Sequence, residues 1–453
     1  MKEAYTKEHL SARDAQRLAE FIAWGPIVFQ ASRLMIKFGI LDLLRDNVDG
    51  LTQEEIADKT KLSLYAVKVL TEASLSIGTV LLDPETDRFS LSKTGWFLLT
   101  DPATRVNIDF NHDVNYEGWF RLEESLREGR PAGLEHFGNW PTVYEGLSQL
   151  PPEVQKSWFG FDHFYSDHSF DEALKIVFGE HETLSLVDVG GNTGRWALRC
   201  VDYSDAVKVT IMDLPQQLEM MRKQTSGKKG ADRIDGFGIN LLDPNASFPT
   251  GKHFDAIWMS QFLDCFSEEE ILSILKRAVK AMDEGTRLYI METFWDRQRF
   301  EPGALCLTMT SLYFTAIANG NSKMYHSEAM EKLVKEAGMK VERIFDGVGQ
   351  GHSIMVCVLN RLIDNQASKT INKMERSEIE AKVRNFMIED LEIDEEKINP
   401  DAHLMKDLGI DSLDFIDIVV IVEKTFGVKI KSEEMAGVDT FSKFCDYIES
   451  KLG

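Results

Sequence analysis

The sequence predicts a mixed α/β protein of three units, namely a winged helix, a doubly wound α/β domain and a small all-α four-helix domain. Three observations support this prediction. The first part of the chain has helical periodicity and ends in a hairpin pattern. In the middle part short apolar strands alternate with helices, and the last part is an acidic helical unit. A chain of 453 residues, 43% of them hydrophobic, can form several packed cores. The predicted boundaries are 12–110, 111–360 and 374–453, with a polar linker at 361–373.

The first unit combines several helices with a hairpin. Thr52 precedes Glu55 by three residues, which is the spacing of a capping box at a helix start. Residues 63–77 repeat apolar positions with helical spacing. Two β-rich runs then flank the turn residues Asp83 and Pro84. Helices followed by a hairpin predict a winged helix, and we expect its apolar helices to form a homodimer.

The middle of the chain alternates short apolar runs with helical segments. This alternation predicts a doubly wound sheet with a mostly parallel core. The five runs are LSLVDV at 184–189, VKVTIMD at 207–213, FDAIWMS at 254–260, RLYIMET at 287–293 and SIMVCVLN at 353–360.

Charge and cysteine content exclude several classes of function. Lys and Arg total 51 against 74 Asp and Glu, and the net charge of -23 has the wrong sign for a nucleic-acid binder. The five cysteines form no CxxC pair, so neither a disulfide framework nor a metal site is expected. No apolar run approaches the ~20 residues of a membrane span, and the first residues are polar. We therefore expect a cytoplasmic protein that binds no membrane.

A glycine loop follows the first strand of the predicted sheet. The sequence GGNTG at 190–194 separates that strand from a helix beginning near Arg195, and glycines let the backbone approach a ligand closely. Asp188 just before the loop favours a cationic ligand over a phosphate. Asp213, at the end of the next strand, can accept the hydroxyl groups of a ribose. Together these features predict S-adenosylmethionine, whereas a lone glycine loop could simply join strand to helix.

The last unit contains the segment LMKDLGIDSLDFIDIVVIVEKTFGVKI at 404–430. Its D-S-L sequence places Ser412 at the start of a predicted amphipathic helix. Free amide groups and the dipole at a helix N-terminus favour an anionic phosphodiester. Ser412 is thus the predicted attachment point of 4'-phosphopantetheine, and an ordinary N-cap serine is the alternative.

From about Phe21 to Val358 the chain resembles the plant-type, caffeate and hydroxyindole-like family of small-molecule O-methyltransferases. The matching stretches are the winged helix, DVGGNTG at 188–194, DLP at 213–215, DCFSEEE at 264–270 and NGNSKMYHSEAMEKLVKEAGM at 319–339. The last unit resembles an acyl carrier protein over its whole length. These resemblances imply a Rossmann-like methyltransferase acting on an aromatic or polyketide-like acceptor. They also imply a phosphopantetheinyl transferase and acyl-chain synthesis enzymes as partners.

The family resemblance also assigns site residues. The family's histidine base is replaced here by Asp264, and Glu292 retains an acid that steers the base. Asp264 could instead only complement the dipole of the helix that follows. Other titratable groups that could act as a base are His112, Glu117, His163 and His168. The residues assigned to S-adenosylmethionine are Asp188, Gly190, Gly191, Gly194, Asp213, Leu214, Asn240, Leu241 and Ser260.

Two rival functions remain open at this point. A methyltransferase fold that has lost its base could serve as a non-catalytic dimeric scaffold presenting the carrier domain. A winged helix could also belong to a transcription regulator, but the basic residues of this unit are diluted by acids. The sequence does not identify the acceptor and does not decide between oxygen and carbon methylation.

Overall fold

The structure is a computed structural model in which residues 5–179, 181–249, 251–360, 376–389, 391, 393–410, 418, 421–422, 425–426 and 438–452 are described. Contacts within the chain divide it into two units, Met1–Leu359 and Asn360–Gly453. Each unit has its own buried hydrophobic core.

The amino-terminal part of the first unit is the predicted winged helix. The antiparallel hairpin consists of β1 (Val80–Asp83) and β2 (Arg88–Leu91). The expected capping box is present, since the Glu55 N–H donates to the Thr52 hydroxyl at 3.2 Å and the Thr52 N–H donates to the Glu55 carboxylate at 2.9 Å. The helices are Ala12–Ala23, Gly25–Lys37, Ile40–Asp46, Gln53–Thr60, Leu64–Ile77, Lys93–Thr100 and Pro102–Phe110.

A helical segment connects the winged helix to the sheet. Its longest helices are Pro152–Asp167 and Phe170–Gly179, and both bury apolar side chains. The shorter turns of helix before them are Asn111–Asn115, Gly118–Arg121, Leu122–Glu128, Ala132–His136, Val143–Gly146 and Leu147–Gln149.

The sheet has seven strands in the order β5-β4-β3-β6-β7-β9-β8. Neighbours from β5 to β7 run parallel, while β9 is antiparallel to both β7 and β8. The strands are β3 (Ser185–Val189), β4 (Lys208–Asp213), β5 (Ile234–Gly238), β6 (Ala256–Ser260), β7 (Arg287–Glu292), β8 (Met339–Val348) and β9 (His352–Leu359). All five strands predicted from the sequence are confirmed.

The sequence prediction missed β5 and β8, which are the two edge strands. β5 reads Ile-Asp-Gly-Phe-Gly and has no fully buried residue, and β8 alternates charged with apolar side chains. An edge strand has one unpaired side and half its residues in solvent, so its sequence lacks a continuous apolar run.

Apolar side chains project from both faces of the sheet into buried clusters, as expected for a doubly wound fold. Val187 and Val189 of β3 join one buried cluster, whereas Leu186 joins the cluster on the opposite face. The indole rings of Trp196 and Trp258 stack at 4.4 Å in the second cluster. The helices that cover the sheet are Phe170–Gly179, Arg195–Tyr203, Pro215–Thr225, Glu268–Val279 and Ser327–Glu336. Parallel strands packed this way bring their carboxyl ends to one edge, where ligands bind in such folds.

The second unit is helical in its described part. Helices Arg376–Glu389 and Phe441–Leu452 pack together around a core that includes Val383, Phe386 and Phe444. Ser412 lies outside the described residues.

The described residues also provide information on membrane spans, disulfides and metal sites. None of their helices is long and apolar enough to cross a membrane. The five cysteines are free, and the described residues contain no cluster of side chains suited to a metal ion.

Candidate active site

The glycine loop turns sharply between β3 and the helix Arg195–Tyr203. Gly190 has φ of +72°, and its N–H donates to the Met212 carbonyl of β4 at 2.8 Å. A Cβ at this position would overlap the ring of Phe262. Gly194 also has positive φ, +80°, at the N-cap of the helix. Glycine is therefore required at position 190 by both backbone conformation and close packing.

Asp213 ends β4 directly beside this loop. One carboxylate oxygen accepts the Asn192 N–H at 2.8 Å, and the other accepts the Leu214 N–H at 2.7 Å. Each oxygen keeps a second lone pair for a ligand hydroxyl. Burial raises the pKa of Asp213, while the two N–H donors oppose that shift. The backbone thus fixes the orientation of this carboxylate.

A cavity of about 780 Å³ opens beside the loop. Five of the sequence-predicted cofactor residues line it, and Asp264 lines it as well. These five are Gly190, Asp213, Leu214, Asn240 and Leu241. The Asn240 side-chain oxygen already accepts the Leu242 N–H at 3.0 Å and retains one lone pair.

Five other residues that the sequence assigned to the site do not line the cavity. They are Asp188, Gly191, Gly194, Ser260 and Glu292. Asp188 lies against Gly191, where a Cβ would come within 2.5 Å of its carboxylate. Burial raises the pKa of Asp188 to about 8. At neutral pH this side chain is therefore mostly uncharged, which removes the electrostatic reason given above for a cationic ligand at the loop.

Gln261 is a lining residue that the sequence did not indicate. It follows β6 with φ of +45°, which is rare for a residue other than glycine. Its buried side-chain oxygen has no hydrogen-bond donor within the described part of the chain. A strained residue with an unpaired polar atom in a cavity is typical of a ligand site.

Aromatic side chains form the rest of the cavity wall. Phe110 and Phe161 stack with ring centroids 4.0 Å apart, and the Trp158 indole N–H donates to the Tyr313 hydroxyl at 2.8 Å. Phe314 lines the same region. A planar ligand fits between such walls. The alternative titratable residues His112, Glu117, His163 and His168 do not line this cavity.

Asp264 lies in the short turn Leu263–Cys265 after β6 and is only 6% exposed. Burial raises its pKa to about 7, and the charge of Asp162 contributes in the same direction. The Cys265 thiol, 3.5 Å from an Asp264 oxygen, opposes the shift. A carboxylate with this pKa is half ionised near neutral pH, which suits proton transfer.

Glu292, the last residue of β7, holds the turn that carries Asp264. One of its oxygens accepts the N–H groups of Phe262 at 3.0 Å and Leu263 at 2.8 Å. Its other oxygen is buried with no partner in the described part of the chain. Burial and the nearby charge of Asp264 raise the pKa of Glu292 well above its ordinary value.

Asp162 is a titratable cavity residue that sequence reasoning missed. It lies on the helix Pro152–Asp167 and lines the cavity near the aromatic wall. Burial raises its pKa to about 6. One signal was available, because Asp162 is an acid within the aromatic run WFGFDHFY at 158–165.

Three domain families match the chain. A Dimerisation2-like domain matches residues 16–89, an O-methyltransferase domain matches 152–340, and a phosphopantetheine attachment site matches 381–448.

Individual relatives agree with these matches. An L-tyrosine C(3)-methyltransferase from Streptomyces lavendulae is 24% identical over 334 residues, covering 73% of this chain and 88% of the relative. An acyl carrier protein from Thermotoga maritima is 41% identical over 78 residues, covering 17% of this chain and 96% of the relative. The apo form of the S-adenosylmethionine-dependent methyltransferase SibL superposes with a TM-score of 0.58 at 22% identity, covering 75% of this chain and 98% of SibL.

Fold, site and matches together define an S-adenosylmethionine-dependent methyltransferase. The chain contains an O-methyltransferase domain at 152–340 and, in the same polypeptide, an acyl carrier domain with a phosphopantetheine attachment site.

Substituting Gly190 by Ala should remove cofactor binding, since the new Cβ is both strained and in collision with Phe262. Gly227 provides a matched control. Its φ is +74°, and a Cβ there would meet nothing within 4 Å. Calorimetry with S-adenosylhomocysteine should show an affinity loss of more than about tenfold for Gly190→Ala and wild-type affinity for Gly227→Ala. Equal affinities of the two variants would contradict the placement of the ligand at the loop.

Proposed function

We propose that this enzyme methylates a hydroxyl group, or an activated aromatic carbon, of an aromatic or polyketide-like acceptor held on its own phosphopantetheine arm. One observation carries the proposal. A single cavity contains Asp213 and the glycine loop as well as the buried carboxylate Asp264 and an aromatic wall. A methyl donor at the loop and a planar acceptor at the wall would therefore share one enclosed space, in a chain that also has a carrier domain.

The residues present fit S-adenosylmethionine. Asp213 has free lone pairs for the ribose hydroxyls, and Asn240 has one for the adenine amino group. Gly190 lines the cavity where the methionine end would lie, and the unpaired oxygen of Gln261 supplies an acceptor for its ammonium group. When bound, the cofactor supplies a methyl group on a sulfonium. We assign Asp188, Gly191, Gly194 and Ser260 a supporting role behind this surface.

Asp264 is the proposed general base. The Asp264 carboxylate would take the proton of an acceptor hydroxyl, so that the oxygen could accept the methyl group that bound S-adenosylmethionine would supply. The sulfonium would leave as a neutral thioether, so charge and atoms balance. For carbon methylation the same carboxylate would take the phenolic proton and raise the nucleophilicity of the ring carbon, which would then lose its own proton while the phenolic oxygen regained one. The aromatic wall and the enclosed cavity align the two reactants and exclude water.

Glu292 is a positioning residue in this scheme. It accepts hydrogen bonds from backbone groups of the turn that carries Asp264, and the charge of Asp264 helps to raise the pKa of Glu292. Because it does not line the cavity, it acts through Asp264 and not on the acceptor.

Carbon methylation is the second candidate reaction. The L-tyrosine C(3)-methyltransferase relative is named for a ring carbon, while the family as a whole is named for oxygen. The cavity supports both, because either reaction needs a base near a phenolic hydroxyl.

Attachment of the acceptor gives the fusion a physical purpose. A substrate on an arm bound to Ser412 has a high effective concentration at the cavity, limited only by the reach of the linker. A phosphopantetheinyl transferase must attach the arm, and acyl-chain synthesis enzymes must load or consume the acyl group. The non-catalytic scaffold is less favoured, because it leaves the cavity and its buried carboxylates without a purpose.

The tethered acceptor can be tested by loading the full chain with a phosphopantetheinyl transferase and 3-(4-hydroxyphenyl)propionyl- or tyrosyl-coenzyme A. With S-adenosylmethionine, intact-mass spectrometry should show one arm on the wild type and then the gain of one methyl group. Ser412→Ala should acquire no arm, which makes it the matched control. A loaded wild-type chain that gains no methyl group would contradict the proposal, as would an arm on Ser412→Ala.

Replacing Asp264 by Asn should lower turnover by ~10²–10⁴, the usual contribution of a positioned base. The base must be ionised, so wild-type turnover should fall as the pH drops below about 7, the value to which burial raises the pKa of Asp264. This acidic limb should be absent from the residual activity of Asp264→Asn. Affinity for S-adenosylhomocysteine should not change.

Two further variants complete that test. Glu292→Gln should shift the acidic limb, because the carboxyl groups of Glu292 and Asp264 interact electrostatically. Asp232→Asn alters an exposed acid outside the cavity and should behave as the wild type. Near-full turnover of Asp264→Asn would show that another group is the base.

We also propose a homodimer formed through the first two helices. The helix Ala12–Ala23 has no buried residue, and Phe21, Ile22 and Ile27 are exposed by 42%, 68% and 61%. Apolar patches of this kind mark a protein interface. Ile22→Asp combined with Ile27→Asp should halve the mass measured by light scattering, whereas Glu20→Ala on the same helix should not. A dimer that survives the double substitution would contradict this assignment.

A further inference from the structure

The charges around the cavity are of one sign. Of the described residues that line it, none is Lys, Arg or His, while five are acidic. These five are Glu145, Asp162, Asp213, Asp264 and Glu270. A cavity whose charged lining residues are all acidic attracts cationic ligands and repels carboxylates.

Most of these acids already have a partner or solvent. Asp213 accepts two backbone N–H groups, and Glu270 accepts the Ser267 N–H at 2.8 Å as part of a capping box. Glu145 is exposed to water. Asp264 is assigned above to proton transfer. The fifth acid, Asp162, is the one whose role is unassigned.

Asp162 has no hydrogen bond or ion pair in the described part of the chain. Arg195 acts on Asp162 electrostatically but forms its ion pair with Asp167. Asp162 is partly buried. A carboxylate that loses part of its hydration without a cationic partner is destabilised, and a ligand that provides the cation relieves this cost. The rings of Trp158 and Phe161 lie on the same helix and line the same cavity, and aromatic faces also attract cations.

We propose that Asp162 binds an ammonium group of the acceptor. The acceptor is then an aromatic amino acid or a close relative whose amine is free and whose carboxyl group is masked as a thioester. The masking follows from the charge of the cavity, because none of its described lining residues is a cation that could pair with a free carboxylate. This inference rests on the proposed function, since the carrier arm provides the thioester.

The test uses three phenols of similar size that differ in the charge of one group. Tyramine carries an ammonium group, tyrosol a neutral hydroxyl and 4-hydroxyphenylacetate a carboxylate. Their affinities for the full chain, saturated with S-adenosylhomocysteine at pH 8, are measured by calorimetry. Tyramine should bind about ten- to a hundredfold more tightly than tyrosol, because a hydrogen bond to a charged group is replaced by one to a neutral group. 4-Hydroxyphenylacetate should bind most weakly.

Two variants then test whether Asp162 causes the preference for tyramine over tyrosol. Asp162→Asn should remove the advantage of tyramine over tyrosol and leave tyrosol affinity unchanged. Glu145→Gln, which removes an exposed acid of the same cavity, should retain the advantage. Equal binding of tyramine and tyrosol to the wild type would overturn the inference, and so would absence of tyramine binding or an unchanged preference in Asp162→Asn.

One competing assignment is that Asp162 serves the cationic cofactor. In that case Asp162→Asn would weaken S-adenosylhomocysteine or S-adenosylmethionine binding and keep the tyramine preference, which would also overturn the inference. The proposed function fails by a different result. Binding of the three phenols needs neither turnover nor the arm, whereas failure of methyl transfer on the loaded carrier would leave the tyramine preference in place.

Discussion

The hydrogen bonds from the turn after β6 to Glu292 are the interaction on which the candidate site depends. A buried carboxylate at the end of β7 accepts the N–H groups of Phe262 and Leu263 and so fixes the neighbouring strand end. Phe262 packs where Gly190 has no side chain, and Asp264 follows two residues later. One side chain thus links the glycine loop, the cavity wall and the proposed base. A buried acid without a cation is costly, and its two backbone donors offset part of that cost.

A carboxylate base at Asp264, where the sequence resemblance implies a histidine, is chemically reasonable only in this surrounding. In water a carboxylate with its reference pKa of ~3.9 is a weak base toward a phenol. Burial raises the pKa of Asp264 to about 7, and Asp162 adds to the effect. None of the described residues that line the cavity is Lys, Arg or His. The proposed base at Asp264 and the proposed exclusion of free carboxylates therefore have one electrostatic origin.

The carrier domain adds a consequence for specificity. An acceptor that arrives as a thioester presents no carboxylate, so an acidic cavity can accept it without a compensating lysine or arginine. Effective concentration on the arm also lowers the affinity that the cavity itself must provide. A weakly binding, acid-lined cavity is therefore compatible with efficient methylation of a tethered substrate.

The fold class was accessible from the sequence because it depends on local patterns. Apolar runs gave the central strands, the Thr52 and Glu55 spacing gave a helix start, and the glycine loop gave the cofactor class. Edge strands β5 and β8 were missed, since their half-exposed residues carry little apolar signal.

The site was only partly accessible, because its acids come from segments far apart in the chain. The sequence by itself suggested Asp213 and Asp264 as site residues. Only the tertiary structure showed that Asp188 does not line the cavity, that Asp162 does, and that the described lining residues include no Lys, Arg or His. The reason is physical, since pKa values and electrostatic fields are set by burial and by neighbours in space, which sequence spacing does not record.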